Sequence, residues 1–317
     1  MQQFGVLSLG SRLKRLSDHL YAEVQSVYQA QSLVISSTYF PILRLLQTKQ
    51  GLSVMDIAEQ LGLSHPAVSK QVSKMLKERL LEKVADPADQ RRSIIVLSDL
   101  SHAQMTQVEP VLEAIGTELN YFLGQLEGDF LTQLSDLESS LLTQPYAERV
   151  LLRLTPDELS ITALASDSDA QSFKALNMQW LERFFAEQIY AQDIDMLERP
   201  QAFIAQGAVI KCARFKNRVV GCYLIKPNLG DSVELCKLAV AEEFAGLGIG
   251  KALVEDAIKE ASKLGASKLT LETHTSLRPA IELYQQYGFK EVDCKVFSVP
   301  RADLKMVRSL PAQEVLL

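Results

Sequence analysis

Apolar residues along this chain recur with two different periods, and the change between them divides it. Helical spacing dominates at first, over Val6 to Gln31, Ser53 to Leu61, a segment capped by Ser64 with Pro66 in its first turn, and Ser101 to Thr143. Gly62 separates the two short central helices, whose inward positions are Val54, Ile57, Ala58 and Leu61 in one and Val68, Val72, Met75 and Leu76 in the other. Leu80 to Val84 and Ser93 to Leu97 flank Asp86-Pro87-Ala88-Asp89-Gln90-Arg91-Arg92 and predict a hairpin with a basic tip. Periodicity lapses between Gln144 and Asp157, punctuated by Pro145 and Pro156. Strands and helices then alternate. Leu159 to Leu164 reads as a strand, Asp169 as a cap, Ala170 to Gln188 as a helix, and Val209 to Phe215 with Val219 to Lys226 as a hairpin about Lys216-Asn217-Arg218. Phe173, Leu176, Trp180, Leu181, Phe184 and Phe185 are the apolar positions of that helix, as core or as a pocket wall. The expected organisation is a helix-rich domain over 1–145, a linker over 146–157 and an α/β domain over 158–317.

At 317 residues the chain is long enough for two cores, and a hydrophobic content of 47% suits globular folds. No apolar run approaches the ~18 residues of a membrane span, and Met1 to Tyr21 lacks the basic-then-apolar order of a signal peptide, so a cytoplasmic protein with no membrane partner is expected. Cys212, Cys222, Cys236 and Cys294 all fall in the second half on apparent strands, with no C-x-x-C pair and only His274 nearby. Buried reduced thiols and no metal are the expectation.

The net charge of −6 argues against a protein that coats nucleic acid, but the charge is uneven. Between Ser64 and Arg92, seven basic residues face four acids, giving +3 and leaving −9 for the remainder. The apolar stripe of the second short helix leaves His65, Ser69, Lys70, Ser73, Lys74 and Lys77 outward, where they suit a major groove, while Arg91 and Arg92 at the hairpin tip suit backbone or minor groove. A merely solvated basic face is the alternative. Helix, glycine turn, helix and hairpin between two long helical stretches resemble the MarR family of winged helix-turn-helix regulators over residues 1 to about 145. Asp89-Gln90-Arg91 stands where that family has a D-x-R wing motif. The resemblance implies binding to double-stranded DNA as a homodimer built by the terminal helical stretches.

In the second half, Val233 to Val254 reads as strand, glycine-rich corner and helix. Gly246, Gly248 and Gly250 alternate with Leu247 and Ile249 just where a helix begins, and free N–H groups with the helix dipole there suit a phosphate. The mononucleotide template G-x-x-x-x-G-K-[ST] fails at Ala245 and Ala252. The dinucleotide template G-x-G-x-x-G meets Lys251 at its third glycine and is supported only by Glu272. Ile249, Leu253, Val254, Ala257, Ile258, Ala261 and Leu264 continue the helix, Gly265 closes it, and Lys268 to Thr273 alternates as a strand.

Ala245 to Gly250 resembles the R/Q-x-x-G-x-G/A loop of the GNAT superfamily of N-acetyltransferases, with Ala245 in place of Arg or Gln. Ala280-Ile281-Glu282-Leu283-Tyr284-Gln285-Gln286-Tyr287-Gly288-Phe289 resembles its second signature, A-x-x-L-Y-x-x-x-G-F, at the expected distance. The implied fold is α/β with a mixed, splayed sheet, and the implied reaction is direct transfer from acetyl-CoA to a small amine or amino-acid-like acceptor. By the same resemblance Leu238 and Val240 would hold the pantetheine by their backbone, and Gly246, Leu247, Gly248, Ile249, Gly250 and Lys251 the pyrophosphate. Tyr284 would protonate the departing thiolate, against a purely structural tyrosine. Glu234 falls where some relatives carry a general base, against an exposed strand-end carboxylate. Cys236 as a covalent acetyl carrier lacks an evident histidine partner. Leu277 stands where many relatives have a cofactor-contacting asparagine. A bifunctional regulator and enzyme, an enzyme that uses its first half only to dimerise, and a regulator that senses acetyl-CoA or a metabolite without turnover remain open.

Overall fold

The computed structural model describes residues 1–49, 51–87 and 91–311 and resolves two compact units, Met1–Leu134 and Ser135–Leu317. In the first, a short 3-10 segment precedes α1 (Leu9–Ala30), followed by α2 (Phe40–Thr48), α3 (Val54–Leu61), α4 (His65–Lys77), the hairpin β1 (Leu81–Ala85) and β2 (Ser93–Leu97), and α5 (Asp99–Leu123). The helical stretch expected from Ser101 to Thr143 forms two helices, with Gly124 to Asp129 separating α5 from α6 (Phe130–Thr143). Ser53 starts α3 with a reciprocal cap, its hydroxyl accepting from the Asp56 N–H while the Asp56 carboxylate accepts from the Ser53 N–H. Gly62 ends it at φ 63°, a left-handed turn that a side chain would strain. Ile42, Leu43, Ile57, Val68, Met75, Ile95 and Val108 close a core around this turn.

The second unit begins within α6 and continues with α7 (Tyr146–Leu154), where a linker was expected. The sequence around it is short and proline-flanked, yet Leu152 is buried in the core of this unit and orders the segment as a helix. The chain continues as β3 (Ser160–Ala163), α8 (Asp167–Phe185), α9 (Ala191–Glu198), α10 (Pro200–Ala205), β4 (Val209–Phe215), β5 (Arg218–Pro227), β6 (Ser232–Val240), α11 (Ile249–Lys263), β7 (Lys268–Thr273), α12 (Arg278–Gln286), β8 (Lys290–Val292) and β9 (Leu304–Ser309). The cap of α8 is Ser166, not Asp169. Asp169 is the third residue of the helix, its carboxylate accepting from the Ser166 N–H and pairing with Arg214 at 2.5 Å. Cys294 also departs from expectation, lying half-buried in the loop after β8, whereas Cys212 and Cys222 are buried opposite each other on β4 and β5.

Among the described residues the strands of this sheet run β3-β4-β5-β6-β7-β9-β8, with only the β6–β7 pair parallel. That pair is brief: Ser232 to Glu234 lies beside Lys268 to Thr270, after which the described ladder stops and the two strands part. α11 covers the sheet through Ile249, Leu253, Val254, Ala257 and Ala261, all buried. Its first two turns lie so close to β5 that a Cβ on Gly221 would stand 2.9 Å from Leu253 and 3.0 Å from Ile249.

Candidate functional site

The parting of β6 from β7 opens a cavity of about 460 Å³, floored by β6 from Glu234 to Val240 and walled by α8, α9, the end of β7, α12 and the loop before β9. Trp180 and Phe185, which sequence left between core and wall, both line it. Lys237 sits at φ 53° on β6, and beside it the β5–β6 register shifts between Cys222 and Leu224. Such a bulge breaks strict alternation, so Glu234, Leu235, Cys236, Lys237, Leu238, Ala239 and Val240 all contribute to the lining.

Glu234 and Tyr284 share this cavity. Glu234 is buried with Lys226 Nζ at 3.3 Å; burial pushes its carboxyl up, Lys226 pulls it back, and neighbouring Glu272 adds to the rise. It is therefore no exposed strand-end carboxylate. Tyr284, on α12, is buried with its ring 5.7 Å from that of Phe289, and burial pushes its phenol up to about 12. Cys236 also faces the cavity, but burial and then the Glu234 charge push its thiol to about 12, so it holds its proton and is a poor nucleophile. His274 lines the far side, hydrogen-bonded through Nδ1 to Ser276 Oγ at 2.7 Å, with its ring 5.4 Å from Phe185.

The lining reaches Ala245, and beyond it the glycine corner faces solvent. Gly246 (φ 76°) and Gly248 (φ 84°) both adopt left-handed conformations, and a Cβ on either would meet nothing within 4 Å. Gly248 caps α11 without any side-chain hydrogen bond, so the first N–H groups of α11 have no side-chain cap. An uncapped helix start behind an empty approach fits a pyrophosphate. Gly250 is different: it lies within α11, and its added Cβ would touch Leu283 at 3.4 Å. Lys251 is exposed beside it, and Leu277, in the place of the family's asparagine, is a buried apolar part of the cavity wall.

Sequence reasoning missed several charged residues here. Asp193 on α9, with its side chain 2% exposed, binds Lys237 Nζ at 2.5 Å and both terminal nitrogens of Arg301 at 2.6 and 2.9 Å. Burial opposes its ionisation, yet Arg301 and Lys237 outweigh that and hold the carboxyl far below the usual carboxylate range. Glu272 accepts from Ser298 N–H and Oγ at 2.8 and 2.6 Å and pairs with Lys305 at 3.2 Å. Arg149 of α7 was also missed: it donates to the carbonyls of Glu243 and Ala245, at 2.5 and 3.2 Å, immediately before the glycine corner. Asp193, Arg301 and Arg149 stand in no motif or long periodic segment, so no local signal marked them, while Glu272 was noted only as support for a dinucleotide loop. No cluster of three or more metal-ligating side chains occurs among the described residues.

In the first unit, α4 buries Val68, Val72 and Met75 and exposes His65, Lys70, Lys74 and Lys77, with Ser69 half-buried. Lys74 leans back, 5.5 Å from the Tyr39 ring centre and 3.9 Å from Glu78. Arg91 and Arg92 are exposed in the turn just ahead of β2, whereas Asp89 and Gln90 of the wing motif lie outside the described residues.

Comparison with known proteins agrees with both halves. Residues 172–289 match the model of the Acetyltransferase (GNAT) family and residues 35–92 that of the MarR family. An uncharacterized N-acetyltransferase of Schizosaccharomyces pombe is 29% identical over 44% of this chain and 88% of its own length. An uncharacterized N-acetyltransferase of Bacillus subtilis is 36% identical over 30% of this chain and 57% of its own. The ribosomal protein bS18 alanine N-acetyltransferase of Escherichia coli is 32% identical over 28% and 60%. This chain thus spans less than two thirds of either bacterial relative.

Proposed function

We propose that this chain, a MarR-family segment followed by a GNAT-family N-acetyltransferase domain, is a bifunctional DNA-binding regulator and acetyl-CoA-dependent enzyme acting on a small amine. The observation that carries the enzymatic half is the single cavity that joins Glu234 and Tyr284 and ends at an open glycine corner. Acetyl-CoA would lie along β6, its pantetheine on the backbone of Leu238 and Val240 and its pyrophosphate on the N–H groups from Gly246 to Lys251. The neutral acceptor amine attacks the thioester carbonyl as Glu234, directly or through one water, takes the proton that its nitrogen sheds on forming the new C–N bond. The tetrahedral adduct collapses with cleavage of the C–S bond, and the Tyr284 hydroxyl gives its proton to the thiolate. A phenol held up at about 12 stays protonated at neutral pH and is always ready as that acid.

The regulatory half rests on the exposed basic face of α4 and the wing. The terminal helices leave large apolar side chains exposed, among them Leu13, Leu16 and Leu20 on α1 and Tyr121 and Phe122 on α5, as a homodimer interface requires. His65, Ser69, Lys70 and Lys74 would face the major groove and Arg91 and Arg92 the backbone or minor groove. A thiol-release assay with acetyl-CoA over amino acids, polyamines, aminoglycosides and peptides tests the enzymatic reading, with Gly248→Val as the control whose valine would fill the phosphate's approach. Turnover lost in that variant supports the reading. Acetyl-CoA binding without turnover on any acceptor would leave a sensor in place of an enzyme.

A further inference from the structure

Charges around the cavity pair one to one except at a single place. Lys226 matches Glu234 and Lys305 matches Glu272, but Asp193 alone faces two cations, Lys237 and Arg301. Both cations line the cavity and have side chains only 10% exposed, so little water screens the surplus positive charge. Arg301 is fixed from several sides, with the rings of Phe185 and Tyr190 5.8 and 5.9 Å away and the Gln188 carbonyl accepting at 3.1 Å. Lys237 carries three N–H donors, and Asp193 is its one hydrogen-bond acceptor among the described residues. It reaches this corner from a left-handed backbone position, a conformation that costs free energy and persists where surrounding contacts demand it. Three residues along the same strand stands Glu234, so one ligand can meet an acid group and a cationic group within one cavity.

We propose that the acceptor is a free amino acid, or a small amine bearing a carboxylate close to its nitrogen, with that carboxylate held by Lys237 and Arg301 while the amine faces Glu234. The proposal rests on the acetyltransferase reading and narrows it. A polyamine would bring positive charge to a corner that already carries an excess of it. A peptide N-terminus would place an amide where the cations call for an anion.

Matched acceptors test this with the full-length protein: free amino acids, their α-carboxamides, the corresponding decarboxylated amines and short alanyl peptides, each followed by acetyl-CoA-dependent thiol release. The acids should be preferred over their amides in kcat/KM by roughly 10- to 100-fold, the discrimination one charged hydrogen-bonding pair supplies. Arg301→Gln should bring that ratio toward one mainly through KM, and Arg301→Lys should restore part of it. Because Arg301 also holds Asp193, thermal melting of each variant must show a folded protein, and Lys237→Met, read by the same acid-to-amide ratio, gives a second route. Equal turnover of acids and amides, a preference for peptides, or a ratio untouched in both variants would overturn the proposal. Absence of turnover on every amine would overturn the acetyltransferase reading itself, and this assignment with it.

Discussion

Burial acts on the two candidate proton carriers in the same direction, upward, with different chemical results. For Glu234 it keeps the proton on above the ordinary carboxylate range, so the basic form fills only as pH rises through that raised value. The acid limb of kcat/KM should therefore rise with pH at a position above a free glutamate's, and Glu234→Gln should remove that limb and lower the rate ~10²-fold or more. An unchanged profile would assign the base elsewhere. For Tyr284, whose phenol sits near 12, the proton stays on through the whole working range. Tyr284→Phe should cut kcat ~10²-fold with acetyl-CoA affinity nearly unchanged by calorimetry, and no alkaline limb near neutrality should depend on it. Tyr284 was singled out in sequence because it stands in the A-x-x-L-Y-x-x-x-G-F stretch, and Glu234 because it lies on the strand ahead of the glycine corner, where some members of the resembled family carry a base. Their burial was not legible, since it is set by α8, α12 and the loop before β9, which pack from distant parts of the chain.

At the level of elements, the legible ones are those whose own periodicity decides their structure. α3, α4 and α11 bury continuous apolar stripes and end at glycines or caps, so sequence located them closely. α9 and α10, at eight and six residues, are too short to show a stripe, and β9 follows a loop with no repeat. Those segments bring Asp193 and Arg301 to the cavity, which is why its charged corner had no signature. α7 was hidden for another reason: two prolines bracket it, and only the burial of Leu152 reveals that it belongs to a core. Its Arg149 ties the carbonyls of Glu243 and Ala245, so Arg149→Ala should loosen the turn that aims the glycine-corner N–H groups. The expected result is a several-fold rise in KM for acetyl-CoA with kcat for a saturating donor little changed, measured by initial rates at varied donor. Equal KM in variant and parent would reduce Arg149 to a surface contact.

For the whole molecule, the proposed pairing of DNA binding with acetyl transfer in one chain predicts two separable failures. Fluorescence anisotropy with a pseudo-palindromic duplex and a scrambled one, each at two salt concentrations, should show Arg91→Ala weakening both alike with a shallower salt slope. Changes at Ser69 or Lys70 should alter which duplex is preferred. Acetyl transfer should persist in all three variants. The strand order adds a consequence in time. β9 lies between β7 and β8 in the sheet, yet it leaves the ribosome after both. Until Leu304 to Ser309 emerges, β7 keeps an unpaired edge and β8 has no described partner, whereas the core of the first unit is complete by Ile115. A chain stalled during synthesis just short of β9 is thus a finished helical first unit trailing a second unit with an open sheet edge, the form in which translation arrest would deliver it to chaperones and proteases.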